Sequence, residues 1–179
     1  MKTYYMKARN LFVSFGLLLG TVMISAEEQA KKLADTGFNQ VKVQKQELVT
    51  GGQPSLKELQ LLAKSGVKTV INLRSQNEFD GFDEAAEANK LGLKYINIPV
   101  AGASGITMEN AKKLDQALAQ TDELTFVHCA SGNRVGALIA LRENLLKGNT
   151  IDESIELGKK AGLKSLESKT LETMQQLKP

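Results

Sequence analysis

The sequence predicts an α/β fold, with a central sheet of parallel type and helices on both faces. Short apolar runs at 67–73, 93–100 and 124–128 alternate with longer segments of helical periodicity. The connections between these runs are long enough to carry a helix across the sheet, which makes neighbouring strands parallel. The run 67–73 leaves almost no solvent face, as a strand covered on both sides does.

Taken in order, 40–43 and 47–50 are two short candidate strands, a small N-terminal hairpin. Gly51-Gly52-Gln53-Pro54 turns the chain. Ser55 then caps a helix over 56–64, with Glu58 placed to complete a capping box. Ser65-Gly66 ends that helix before the strand 67–73. Residues 74–82 form a polar loop, and 83–90 are helix formers with acidic residues at the start, where the helix dipole favours them. The strand 93–100 closes at Pro99. Residues 101–106 form a glycine-rich loop, and Thr107 caps a helix to about Gln120. A strand at 124–128, a short loop, and helices over 134–147, 151–161 and 165–177 complete the chain.

Composition excludes some classes. With 42% hydrophobic and 24% charged residues in 179, the chain is ordinary for one globular domain. Its first 26 residues differ from the rest. Lys2, Lys7 and Arg9 precede an apolar core at 11–24, followed by Ser25-Ala26, the order of a secretory signal peptide. A retained anchor would need a longer core to span a bilayer. The division expected is a leader at 1–26, a lead-in at 27–38 and one domain at 39–179 with C-terminal helices. The expected location is the periplasm of a bacterium. The leader holds three of the 23 Lys and Arg and no acidic residue, so the remainder balances its 20 Asp and Glu. Neither nucleic-acid binding nor stable membrane association after cleavage is therefore expected.

The only cysteine and the only histidine stand side by side, His128-Cys129, at the end of the strand 124–128. Ala130, Ser131, Gly132 and Asn133 separate the cysteine from Arg134, which opens the next helix. Loop N–H groups and a helix N-terminus converge on such a point and favour an anion there. A thiol in that setting is the nucleophile in its thiolate form, and an arginine beside it grips an oxyanion with two donors. In open α/β sheets ligands sit beyond the carboxyl ends of the strands. Those ends lead here into 74–82, 101–106 and 129–133. The residues alone leave three readings open: hydrolysis of a phosphate ester, sulfur transfer through a persulfide, or anion binding without turnover. A buried, inert cysteine and an arginine paired with a nearby carboxylate are the non-functional counterparts.

His-Cys, a glycine loop and an arginine at a helix start resemble the cysteine-dependent phosphatases. Four ordered motifs resemble one group more closely: Gly52-Gln53-Pro54-Ser55, 66–74 (Gly-Val-Lys-Thr-Val-Ile-Asn-Leu-Arg), 95–100 (Tyr-Ile-Asn-Ile-Pro-Val) and His128-Cys129-x-Ser131-Gly132-x-Arg134. These are similar to the phosphatase-like domain of the beta-lactamase-hydrolase-like family, within the dual-specificity and tyrosine phosphatase-like superfamily. The resemblance runs from about Asn39 to Lys147 and shares the four-residue spacing, where most such phosphatases have five.

It implies a cysteine-phosphatase-like fold and hydrolysis of a phosphate monoester, or another small anionic substrate, without cofactor or metal. Cys129 would be the nucleophile. Arg134 would bind equatorial oxygens, and Ala130, Ser131, Gly132 and Asn133 would bind substrate, mainly through N–H groups. His128 would be structural, bonding the loop and helping to lower the thiol pKa. The usual hydroxyl after the arginine is replaced by Val135. The loop after Pro99 holds no carboxylate to protonate the leaving group, which leaves Glu78, Asp80 and Asp83 at this edge, with Asp80 as the stand-in. Cys-Ala-Ser-Gly-Asn-Arg is also close to the active loop of rhodanese-like sulfurtransferases.

Overall fold

The computed structural model describes residues 33, 35–43, 46–78 and 81–177. The expected leader, most of the lead-in, and Asp80 lie outside the described residues.

The N-terminal hairpin forms as the alternation predicts: β1 (Asn39–Val43) and β2 (Gln46–Gly51) pair antiparallel, with Val41 opposite Leu48. Helix α1 (Leu56–Lys64) starts under the expected capping box. Ser55 Oγ accepts from the Glu58 N–H, and the Glu58 carboxylate accepts from the Ser55 N–H. Then come β3 (Thr69–Asn72), α2 (Glu84–Lys90), β4 (Lys94–Asn97), α3 (Met108–Leu118), β5 (Thr125–His128) and the helices α4 (Asn133–Leu145), α5 (Ile151–Lys160) and α6 (Glu167–Leu177).

The strands are shorter than the apolar runs that predict them. Val67, Leu73, Ile98 and Val100 are all buried, yet they lie outside β3 and β4. An apolar run records burial, and burial continues where the chain leaves the sheet to line the core.

The five strands are ordered β1-β2-β5-β3-β4. β2, β5, β3 and β4 are mutually parallel, and the hairpin adds β1 as an antiparallel edge. The sheet is thus of parallel type with one antiparallel edge strand. β5 is its central strand, with Phe126 beside both Val49 and Val70, and Val127 beside both Thr50 and Ile71.

Alternation along these strands divides the core in two. Val49, Val70 and Phe126 face α1 and α2, packing on Leu59, Leu62 and Ala88. Leu48, Ile71 and Val127 face the other way, onto Leu114 and Leu118 of α3 and Leu138 and Leu141 of α4. Helices cover both faces. Helix α4 is buried on every side from Val135 to Leu141, which is why its sequence shows no polar stripe. It passes α5 at two glycines: a Cβ on Gly136 would lie 2.5 Å from the Gly158 carbonyl oxygen and 2.1 Å from the Leu163 nitrogen. Among the described residues no helix is long and apolar enough to cross a membrane.

Candidate active site

The alternation that divides the core also separates His128 from Cys129. His128 shares a face with Phe126, and the two rings stack with centroids 5.2 Å apart. Cys129 falls on the opposite face, among the residues that pack on α3 and α4. One residue therefore reaches into the α2 side of the sheet while its neighbour turns to the α3 and α4 side.

Backbone from the end of β2 sews the cysteine loop in place. The Cys129 N–H donates to the Gly51 carbonyl at 3.3 Å, and the Gln53 N–H donates to the Ala130 carbonyl at 3.2 Å. Gly52 bridges Ser131. A Cβ on Gly52 would come within 2.9 Å of the Ala130 oxygen, so the turn sequence Gly-Gly-Gln-Pro is needed for close approach as well as for turning. Gly132 closes the loop at φ +83°, a conformation that suits glycine. Its N–H donates to Cys129 Sγ at 3.2 Å.

Helix α4 begins at Gly132 with no side-chain cap, whereas Ser55, Asp83, Thr107 and Thr150 cap α1, α2, α3 and α5. Its first N–H groups are left for a ligand, the arrangement that anions occupy at helix N-termini.

Arg134 is the second residue of α4 and is buried. Its Nη1 donates to Glu78 Oε1 at 2.7 Å and to the Val100 carbonyl at 2.8 Å, and its Nη2 donates to Glu78 Oε2 at 2.5 Å. The hydrogen bond from Arg134 holds the Glu78 carboxyl below its ordinary 4.5, against an opposing push from burial. The pairing of this arginine with a carboxylate, weighed above as the non-functional reading, is present. It uses both N–H bonds of Nη1 and one of Nη2; the guanidinium also hydrogen-bonds Cys129, which adds to the stronger effect of Glu78 in raising the arginine's pKa.

Ser131, Asn133 and Arg134 line a cleft of about 440 Å³, together with the turn at 75–78, Ala101–Ala103 and Leu166. Cys129 itself is buried, 1% exposed, while Ala130 and Ser131 are exposed. The predicted site residues are therefore brought together. Asn133 differs from expectation in its side chain, which accepts from the Lys164 and Leu166 N–H groups and donates to Ser165 Oγ, pinning the chain between α5 and α6.

Of the three carboxylates at this edge, Glu78 is committed to Arg134, and Asp83 caps α2 by accepting from the Ala86 N–H. Among the described residues no group of three or more His, Cys, Asp or Glu stands close enough to hold a metal ion.

Glu84 was not singled out in the sequence. It sits in the first turn of α2, where an acidic residue suits the helix dipole, yet its carboxylate turns inward and is 3% exposed. Its Oε2 accepts from Arg74 Nη2 at 3.0 Å, Gln53 Nε2 at 3.2 Å and Asn72 Nδ2 at 3.3 Å. Its Oε1 lies 2.8 Å from His128 Nε2. Burial pushes this carboxyl up, but the hydrogen bond and charge of His128, with help from Gln53 and Arg74, more than offset it and leave it below the ordinary value. Arg74 also donates through Nη1 to the Glu78 backbone carbonyl at 3.1 Å, so it ties the Glu84 carboxylate to the turn that carries Glu78.

Comparison with known proteins shows the family and the fold. The family described as DSP-PTPase phosphatase fused to NAD+ kinase has a model that matches residues 23–178. The chain belongs to this family. A beta-lactamase hydrolase-like protein of Xylella fastidiosa (strain Temecula1 / ATCC 700964) is 39% identical over 100 residues, 54% of this chain and 23% of that protein. The protein of the same description from Agrobacterium fabrum is 32% identical over 102 residues, 55% of this chain and again 23% of the relative. The chain thus matches about a quarter of the length of these relatives.

Among solved structures, a DUF442 protein from Shewanella putrefaciens CN-32 superposes with a TM-score of 0.59 at 20% identity, covering 80% of this chain and 92% of the other. TpbA of P. aeruginosa, solved in complex with pTyr, superposes with a TM-score of 0.51 at 16% identity, covering 72% and 78%. The fold is that of the DSP-PTPase phosphatases, as the four motifs imply.

Proposed function

We propose that this DSP-PTPase family member hydrolyses a phosphate monoester through Cys129. The observation that carries the reading is the meeting of Cys129 Sγ with the Gly132 N–H at 3.2 Å, at the uncapped start of α4, and with the guanidinium of Arg134, which also hydrogen-bonds it. The thiolate attacks phosphorus, forming the S–P bond as the ester P–O bond breaks, and the leaving group departs as an oxyanion that takes its proton from solvent. Water then attacks the phosphocysteine and releases phosphate and the thiolate.

The loop N–H groups of Ala130, Ser131, Gly132 and Asn133 bind the equatorial oxygens. Arg134 meets them with Nε and the remaining N–H of Nη2, and the charge that builds in the transition state is stabilised by donors already in place. No described residue of the cleft supplies a second cationic side chain, which fits a single phosphoryl group. The phosphotyrosine bound to TpbA is consistent with a substrate of that charge.

The reading extends to the ends of the chain. Residues 1–26 direct export, probed by N-terminal sequencing of the mature protein, and 39–179 form one domain behind a lead-in at 27–38.

The test is turnover of an aryl phosphate by the reduced full chain, beside thiosulfate with cyanide. Phosphate release that disappears in Cys129→Ser supports the proposal. Thiocyanate formation without phosphate release assigns the loop to sulfur transfer. Binding of inorganic phosphate with turnover of neither substrate makes it a binding module.

A further inference from the structure

We propose that Glu84 is a positioning residue for the Cys129 loop, acting through His128; the proposal rests on reading that loop as the anion site. The buried Glu84 carboxylate divides its two oxygens between two tasks. Oε2 takes the donors from Arg74, Gln53 and Asn72, which come from the ends of β3 and β2. Oε1 meets His128 Nε2 at 2.8 Å, and among the described residues neither atom has another hydrogen-bond partner. A carboxylate oxygen only accepts, so the proton between them belongs to Nε2.

The ring's other nitrogen, Nδ1, lies 3.3 Å from the Cys129 carbonyl oxygen. Both nitrogens look onto acceptors, an arrangement satisfied when both carry a proton and Glu84 supplies the balancing charge. His128 is fully buried and stacked on Phe126, so the ring has little freedom beyond the setting these contacts give it.

The consequence reaches the sulfur through the backbone. The Cys129 carbonyl belongs to the first peptide of the loop, and its direction determines where the following N–H groups point. Glu84 holds the imidazole, the imidazole holds that carbonyl, and the Gly132 N–H is thereby aimed at Sγ. Asn72 extends the support to β4, since its Nδ2 also donates to Tyr95 Oη at 2.8 Å. One carboxylate therefore gathers the carboxyl ends of β2, β3 and β5 around the cradle, and Asn72 links it to β4. Partners that orient a functional ligand in this way are worth about ten- to a hundredfold in metal sites, and a loss of that size is expected here.

Because His128 and Cys129 are the only residues of their types, imidazole 15N resonances and iodoacetamide alkylation each report a single site in the full chain. In the wild type an Nε2–H resonance protected from solvent exchange is expected. Glu84→Ala should abolish that protection, change the alkylation rate of Cys129 at least about tenfold and lower kcat on p-nitrophenyl phosphate by about the same factor, with KM little changed. Glu84→Gln, which keeps an acceptor at Oε1, should recover part of each effect. Glu87→Ala, which removes a carboxylate of the same helix paired with Lys90, should leave all three readouts unchanged.

A folded Glu84→Ala protein with wild-type ring resonances and alkylation rate overturns the proposal. If neither Glu84 variant folds, the wild-type spectrum decides alone: an Nε2 without a protected proton overturns it, and one with such a proton upholds it. Glu84-dependent resonances and alkylation in a chain that turns over no phosphate ester uphold the positioning role while the phosphatase reading fails.

Discussion

Arg134 and Glu78 form a two-pronged ion pair in which the carboxylate takes one side of the guanidinium and leaves the edge formed by Nε and Nη2 to face the cysteine cradle. With the Val100 carbonyl also engaged, the guanidinium plane is held at three points. Glu78→Ala is expected to lower kcat on aryl phosphates by about ten- to a hundredfold while KM changes little, because a misplaced clamp is felt in the transition state. An unchanged or raised kcat would make Glu78 a plug that competes with substrate instead.

The two carboxyls that serve the site also set an acid limit on stability. Glu78 and Glu84 are both held below their ordinary value in the fold. A carboxyl of that kind binds its proton more readily when unfolded, so its contribution is complete above the ordinary 4.5 and is lost as pH falls through the lower folded value. Urea midpoints should therefore fall steadily between about pH 5 and pH 3. Glu78→Gln should show a shallower fall over the same range, and an equally steep one would assign the acid sensitivity elsewhere.

Leaving-group chemistry gives a sharper kinetic signature. Glu78 is the only carboxylate among the described residues lining the cleft, and Arg134 keeps it ionised, so it has no proton to give. Rates should fall steeply from p-nitrophenyl phosphate to phenyl phosphate to an alkyl phosphate, since the departing oxygen must carry its own charge. A flat series would require a proton donor, and a steep series appearing only in Asp80→Asn would identify it.

Packing around α4 predicts one large stability effect far from the chemistry. Gly136→Ala would place a methyl group against backbone atoms of Gly158 and Leu163, which no side-chain rotation can relieve. A loss of about 3 kcal/mol or more is expected in equilibrium unfolding, the upper part of the range for overpacked cores. A cost below about 1 kcal/mol would mean that the two helices separate with little resistance.

Much of this was legible in the sequence. The strand, glycine loop and helix around His128-Cys129 are local patterns, and the period-two alternation of β5 already separates the two residues' faces. The motif residues Gln53, Asn72 and Arg74 were also visible. Their shared purpose was not, because all three point at Glu84, a residue whose local context reads as an exposed helix start. Helix-dipole reasoning explains why an acid is tolerated there and says nothing of which way it turns. Glu78 was similarly read as a loop carboxylate, since its pairing with Arg134 spans 56 positions and leaves no local periodicity. Long-range side-chain pairing, rather than secondary structure, is what the residues withheld.

The strand order carries a consequence for how the molecule is made. β5 is the last strand in the chain and the middle one in the sheet. Its neighbours β2 and β3 are synthesised well before it and have no direct pairing with each other, so the sheet stays split until β5 slots between them. Joining Thr50 to Val127 closes a long stretch of chain, a slow, non-local step. Cys129 thus follows directly on the keystone strand, and its loop is seated against Gly51 only once β5 has paired with β2.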